Sequence, residues 1–275
     1  MVKALAATDS KEVGDATRGC GHHLRRKTDR MTVTKFPEAE TIPAHIPDMD
    51  ANDGDDPQLC QVYVRDICNH LLTLEQDACY TIKEGFLENQ SEVQSWHRAV
   101  LIDWLIQVQR KFGMLQETLF ICIDTIDRYL QLVDVPKNQL QLVGVTALLI
   151  AAKYEEVYPP RIRDFAYITA DTYSVKEIRE MEREILRRLG YRLNKPLPIH
   201  FLRRYSKVGD ANTKEHNLTK YILELSFLDD MASAMPPSKR AAGAFLLAKS
   251  LLYKKTPQQL WTPTLAYYIQ PVLSQ

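Results

Sequence analysis

Apolar positions along this chain recur with a helical period, and proline marks where each run stops. Stretches 58–135, 161–195, 199–235 and 238–256 contain no proline, and between them stand Pro136, Pro159-Pro160, Pro196, Pro198 and Pro236-Pro237. Proline breaks a helix interior but suits a first turn. The pattern therefore predicts blocks of helix joined by short connections. The first block opens at Asp55-Asp56-Pro57 and places Leu59, Val62, Ile67 and Leu71 near helical spacing. Ala99–Val108 is apolar around Asp103 and Gln107, and Leu119, Ile123, Ile126 and Leu130 form one stripe in block 118–132. The block after Pro136 uses small residues (Gly144, Thr146, Ala147, Ala151, Ala152), which let neighbouring helices approach and mark a central helix. Block 175–189 alternates Ile178, Met181, Ile185 and Leu189 with charges, as an outer amphipathic helix does. Ser174 and Glu177 have capping-box spacing at its start. A second proline-started apolar helix, from Pro236-Pro237 through Gly243 to Ala248, resembles the one from Pro136 through Gly144 to Leu149 and hints at internal duplication.

Residues 1–56 break the pattern. They contain one aromatic residue, Phe36, and their charges are segregated: 8 Lys+Arg against 4 Asp+Glu in 1–35, then 7 acids and no Lys or Arg in 36–60. So little apolar surface does not repay the entropy of ordering, so the segment is expected to be a disordered tail. Cys20, His22 and His23 lack a second ligand pair at finger spacing, which argues against a metal site. The five cysteines show no C-x-x-C spacing and read as reduced intracellular thiols. The first residues lack the apolar core of a signal peptide, and the longest nearly apolar run, Leu142–Ala152, is far short of a membrane span. These features predict a cytoplasmic and nuclear protein with no membrane partner.

The whole chain carries 35 Lys+Arg and 35 Asp+Glu, which argues against a long basic surface for nucleic acid. Only 10 of 275 residues are glycine. Phosphate-cradling loops need glycine, and no G-x-G-x-x-G, Walker loop, G-x-S-x-G or H-E-x-x-H occurs. Asp164-Phe165-Ala166 lacks the glycine of a kinase metal-binding turn and stands without the accompanying loops. No catalytic residue, metal or cofactor is expected. What stands out is charge inside apolar helices: Arg98 and Asp103, Asp127-Arg128, and Lys153 followed by Tyr154-Glu155-Glu156. A charge in a core needs a partner, so these residues read either as internal pairs and snorkelling ends or as a working surface.

Taken in order, the segments resemble a cyclin, specifically a B-type, G2/mitotic cyclin. Arg98-Ala-Val-Leu-Ile-Asp-Trp-Leu105 is similar to the family's M-R-A-I-L-x-D-W-L. Gln116-Glu-Thr-Leu119 and Ile126-Asp-Arg-Tyr-Leu130 are similar to its second helix. Leu140-Gln-Leu-Val-Gly144 and Ala152-Lys-Tyr-Glu-Glu-Val-Tyr-Pro-Pro160 resemble its third helix and following loop, and Met181-Glu182 and Leu186 its fifth. The B-type flavour lies in Pro196-Leu-Pro-Ile-His-Phe-Leu-Arg-Arg204 and Trp261-Thr-Pro-Thr264. The resemblance implies an all-α fold of two tandem five-helix cyclin boxes preceded by an extra helix. The expected parts are a tail over 1–56, the first box with its preceding helix over 57–196, and a partial second box over 197–275. It further implies a regulatory subunit, not an enzyme, that binds and activates a mitotic-type cyclin-dependent kinase at the G2/M transition. By the same resemblance, Lys153 and Glu182 grip the kinase near its mobile αC helix. Arg98 and Asp127 form an internal ion pair bracing the first box helix against the second. Leu101, Trp104 and Gln141 belong to a patch that receives Arg-x-Leu substrate peptides in related cyclins.

The chain also departs from the family. His97, preceded by Trp96, stands where the motif has Met, and Gln107 where some cyclins carry an acid. Residues 1–56 contain no R-x-x-L destruction box, and Arg183-Glu-Ile-Leu186 falls in an expected packed helix. The second box is expected to lack its fifth helix, leaving apolar surface open and the box marginally stable. Two alternatives stay open: a truncated competitor that occupies the kinase without activating it, and a nucleic-acid-binding transcription factor of the same fold.

Overall fold

The computed structural model describes residues 42–269. Residues 1–41 and 270–275 lie outside the described part, and with them Cys20, His22, His23 and most of the expected tail. Among the described residues every regular element is a helix. A 3₁₀ turn at Pro57–Leu59 precedes α1 (Val64–Glu75). The first bundle follows as α2 (Ser95–Phe112), α3 (Gln116–Leu132), α4 (Leu140–Glu155), α5 (Ile162–Ile168) and α6 (Val175–Arg188). The second comprises α7 (Pro198–Val208), α8 (Thr213–Ser226), α9 (Asp230–Ala234), α10 (Pro237–Tyr253), α11 (Pro257–Leu260) and α12 (Pro263–Ile269).

The helix expected from Pro57 starts instead at Val64. Asp56 caps the 3₁₀ turn, its Oδ1 accepting from the Gln58 backbone N–H at 2.9 Å, and Cys60 then turns left-handed at φ 49° and ends it. That break rotates the apolar stripe out of the core: Val62 is 81% exposed, and Leu59 and Ile67 are also exposed. Elsewhere the local signals act as expected. Glu177 donates its backbone N–H to Ser174 Oγ, and the Ser174 N–H reaches Glu177 Oε2 at 2.7 Å, closing the capping box of α6. Gly113 takes the left-handed conformation that stops α2. Among the described residues Cys60, Cys68 and Cys122 are free thiols, as expected of a reduced set, and Cys20 lies outside the described part.

The centre of the first bundle is α4, whose residues Leu140 and Leu142–Ala152 are buried among α2, α3, α5 and α6. Helix α10 occupies the matching place in the second bundle, against α7, α8 and α11. The two helices treat their glycines differently. A Cβ on Gly144 would lie 2.6 Å from Leu101 Cδ1, whereas one on Gly243 would meet nothing within 4 Å. Gly144→Ala is therefore expected to cost about 1–3 kcal/mol through overpacking. Gly243→Ala is expected to stabilise by roughly 0.5–1 kcal/mol through helix propensity. Urea unfolding of the two variants checks the opposite signs. The open side of α10 continues into an apolar face: Leu247 and Leu251 on α10 and Tyr221 and Leu225 on α8 are all exposed.

Residues 42–56, composition notwithstanding, form turns packed on the second bundle. Ile46 and Asp50 are buried. Asp50 takes a two-pronged contact from Arg204 of α7 at 2.5 and 2.7 Å and a third from Lys207 Nζ at 3.2 Å, and Lys207 also pairs with Asp53. Tyr268 of α12 donates its hydroxyl to the Pro47 carbonyl and accepts from the Met49 backbone N–H. Charge pairing thus orders a segment too poor in apolar surface to order itself. Burial pushes the Asp50 carboxyl up, but hydrogen bonds and charge from Arg204 and Lys207 outweigh it, holding the group below the ordinary carboxylate value. Stability from this strap is present above about pH 4. It is lost as pH falls through the lowered value, because the unfolded chain binds the proton first. Asp50→Asn is expected to cost about 1–3 kcal/mol at neutral pH and to flatten the acid limb of a melting-temperature profile.

Candidate functional site

The charges singled out in the sequence fall into two structural classes. Arg98 and Asp127 are fully buried, facing each other from α2 and α3. Arg98 Nε and Nη2 donate to the two Asp127 oxygens at 2.6 Å each. The remaining donors leave the first bundle: Nη1 reaches the Phe227 carbonyl at 2.9 Å and Nη2 the Ser233 hydroxyl at 2.7 Å. One guanidinium therefore joins α2 and α3 to the end of α8 and to α9 of the second bundle.

Lys153 and Glu182 belong to the other class. Lys153 sits in the last turn of α4, whose apolar run carries the side chain to the bundle surface. Its Nζ meets Glu182 Oε1 of α6 at 2.6 Å, and the lysine side chain is half exposed. Tyr154 in the same last turn, and Val157 (84% exposed) and Tyr158 (91% exposed) after the helix, present large side chains to solvent, as does Tyr167 of α5. Exposed apolar and aromatic side chains are thus concentrated in the short stretch of chain that follows Lys153.

Glu156 holds that loop in place. Its Oε1 accepts from the Leu115 backbone N–H at 2.7 Å and from the Thr118 hydroxyl at 2.5 Å, at the start of α3. The neighbouring Glu155 carboxyl is pushed up by burial, with Glu117 and Glu156 adding repulsion. Glu117 in turn pairs with Arg203 of α7. The exposure of Val157, Tyr158 and Tyr167 was not read from the sequence. The signal available for it was an apolar-aromatic loop bounded by Pro159-Pro160.

The third group lies where α2 crosses α4. Leu101 is buried beneath Gly144, and Trp104 and Gln141 are half-buried at the edge of that contact. Gln107, which stands where some cyclins have an acid, donates its amide to Asp103 at 3.0 Å, so an exposed carboxylate lies one turn away. His97 accepts the Gln94 backbone N–H through Nδ1 and stacks on Trp96 at 3.6 Å between ring centroids.

Family models match this chain in two successive parts: the cyclin N-terminal domain over residues 66–194 and the cyclin C-terminal domain over 196–275. The chain belongs to the cyclin family. Among curated relatives it is 48% identical over 225 residues to a G2/mitotic-specific cyclin-B1 of Xenopus laevis, covering 82% of this chain and 55% of that one. It is 46% identical over 223 residues to a G2/mitotic-specific cyclin-B of Marthasterias glacialis, covering 81% of this chain and 56% of that one. Within the family it is thus a B-type cyclin by similarity, and it spans about half the length of the curated relatives it matches. Among solved structures, a viral cyclin from herpesvirus saimiri superposes with a TM-score of 0.61 at 17% identity, over 77% of this chain and 95% of that one. That likeness concerns the fold, and it matches the tandem cyclin boxes seen here as the α2–α6 and α7–α12 bundles.

Proposed function

We propose that this cyclin is a regulatory subunit, without catalysis of its own, that binds and activates a cyclin-dependent kinase of the mitotic type at the G2/M transition. The observation that carries the proposal is the Lys153–Glu182 pair set beside the bared Tyr154, Val157, Tyr158 and Tyr167. A protein kinase must align a glutamate of its αC helix with the lysine that orients ATP. A rigid helical face that packs better on the aligned αC than on the displaced one shifts the population toward the active kinase. The pair would supply charge-matched contacts to polar groups at the αC end, and the tyrosines and valine the apolar area. Such a shift needs several kcal/mol of differential binding and hence a broad interface, on the order of 2,000 Å². The support is the geometry of this surface together with similarity to G2/mitotic cyclins. Gel filtration of the chain with a purified mitotic-type kinase tests the binding step, for which co-elution is expected and separate elution would refute it. Binding without gain of kinase activity would select the non-activating competitor instead. Retention of DNA by the purified chain would favour the transcription-factor reading. A kinase regulator of this kind works in the cytoplasm and the nucleus, which imaging of the tagged chain checks.

The α2–α4 edge at Leu101, Trp104 and Gln141 is proposed to dock Arg-x-Leu peptides, with Asp103 offering the carboxylate that Gln107 does not. Trp104→Ala is expected to weaken such a peptide at least tenfold in a fluorescence titration. An unchanged affinity removes the assignment.

A further inference from the structure

A small, partly open cavity of about 20 Å³ lies between the two bundles, with Phe120, Asp124, Asp127, Lys195, Phe227 and Arg240 in its wall. That is room for a single water-sized or monatomic occupant. Arg240 of α10 is the anomaly in its wall. The residue is 7% exposed, its guanidinium stacks on Phe227 with 4.5 Å to the ring centroid, and its Nε has no hydrogen-bond partner among the described residues. A buried unpartnered donor is costly, and a buried unpartnered charge more so.

The nearby carboxylates are already committed. Asp127 gives both oxygens to Arg98, and Asp124 takes Lys195 at 2.5 Å and Arg128 at 3.4 Å. Glu75, the next acid toward Lys195, accepts from the Ser238 backbone N–H and hydroxyl at the start of α10. Arg98 takes the Asp127 oxygens, and Lys195 and Arg128 those of Asp124, so Arg240, drawn by the charge of Asp127 and Asp124 but hydrogen-bonded to neither, is the cation in this wall with no hydrogen-bonded partner among the described residues. Burial lowers the Arg240 value to about 10, which still leaves it charged at neutral pH.

The geometry points to a monatomic anion, of the chloride class, held in this cavity by Arg240 and Lys195 and joining α10 to the first bundle. The apolar walls (Ile82, Phe120, Pro196, Pro198) suit a weakly hydrated halide, which needs few hydrogen bonds, better than a water molecule, which needs several. The site is independent of the kinase-binding proposal, since it lies at the bundle junction and not on the Lys153–Glu182 face.

The test uses the full chain and the halide itself. As chloride replaces fluoride at fixed ionic strength, the melting temperature is expected to rise by about 3 °C, the shift of a ligand that binds only the native state. Arg240→Met keeps the stacking volume on Phe227 and removes the charge, so its melting temperature is expected to stay flat over the same exchange. A flat wild-type response, or an equal rise in the variant, overturns the site. Should the variant fail to fold, crystals of the wild-type chain grown in sodium bromide decide the question. An anomalous peak between Arg240 and Lys195 supports the site, and ordinary water density there overturns it.

Discussion

Arg98→Ala is expected to lower the free energy of unfolding by about 3–5 kcal/mol, a large part of what a folded protein of this size holds in reserve. Three things are lost together. Asp127 becomes a buried carboxylate without a counter-charge, and the Phe227 carbonyl and Ser233 hydroxyl each lose their donor. A void also opens where the largest fully buried side chain had been. Because Arg98 touches both bundles, unfolding is expected to lose cooperativity, with the second bundle melting first. The compensated pair Arg98→Met with Asp127→Leu is expected to recover much of the loss, since a buried ion pair exchanged for apolar groups of similar size is often neutral. Denaturant titrations of the single and double variants check this. A single variant within 1 kcal/mol of the parent would show that the network is not the junction described here.

Lys153→Ala combined with Glu182→Ala is expected to have the opposite profile: negligible effect on stability and near-complete loss of kinase activation. The lysine is half exposed although the glutamate is 15% exposed, and ion pairs open to solvent on one side contribute about 1 kcal/mol or less to folding. At an interface the same two groups become buried, and removing them leaves charged partners on the kinase unmatched. A hundredfold or greater loss of activation is expected, with an unchanged circular-dichroism melt. Full activation by the double variant would remove these residues from the interface, and a collapsed melt would mean that the pair is structural.

These two pairs show how far the sequence could be read. The amphipathic stripe of α3, the small-residue run of α4 and the Ser174–Glu177 cap are local signals, and each element formed where its signal lay. Pairing of Arg98 with Asp127, and of Lys153 with Glu182, became legible only through resemblance to cyclins, because nothing in spacing alone joins residues on different helices. The remainder depends on contacts between distant parts of the chain. Asp50 looks like one more acid in a polar tail until Arg204 and Lys207 are brought to it, so composition left residues 42–56 out of the folded body they pack on. Arg240 carries no sequence signal for burial, yet α10 turns it inward onto Phe227. The start of α1 was misplaced for a local reason, since the left-handed turn at Cys60 has no glycine to announce it.

The central claim is that the face around Lys153 and Glu182 switches on a kinase. It is tested most directly by adding this chain to a purified, inactive mitotic-type cyclin-dependent kinase and measuring phosphate transfer to a histone-type substrate. Activity is expected to rise saturably with the parent chain and not at all with the Lys153→Ala, Glu182→Ala variant. Stable binding with no rise, or an equal rise with both proteins, would contradict it.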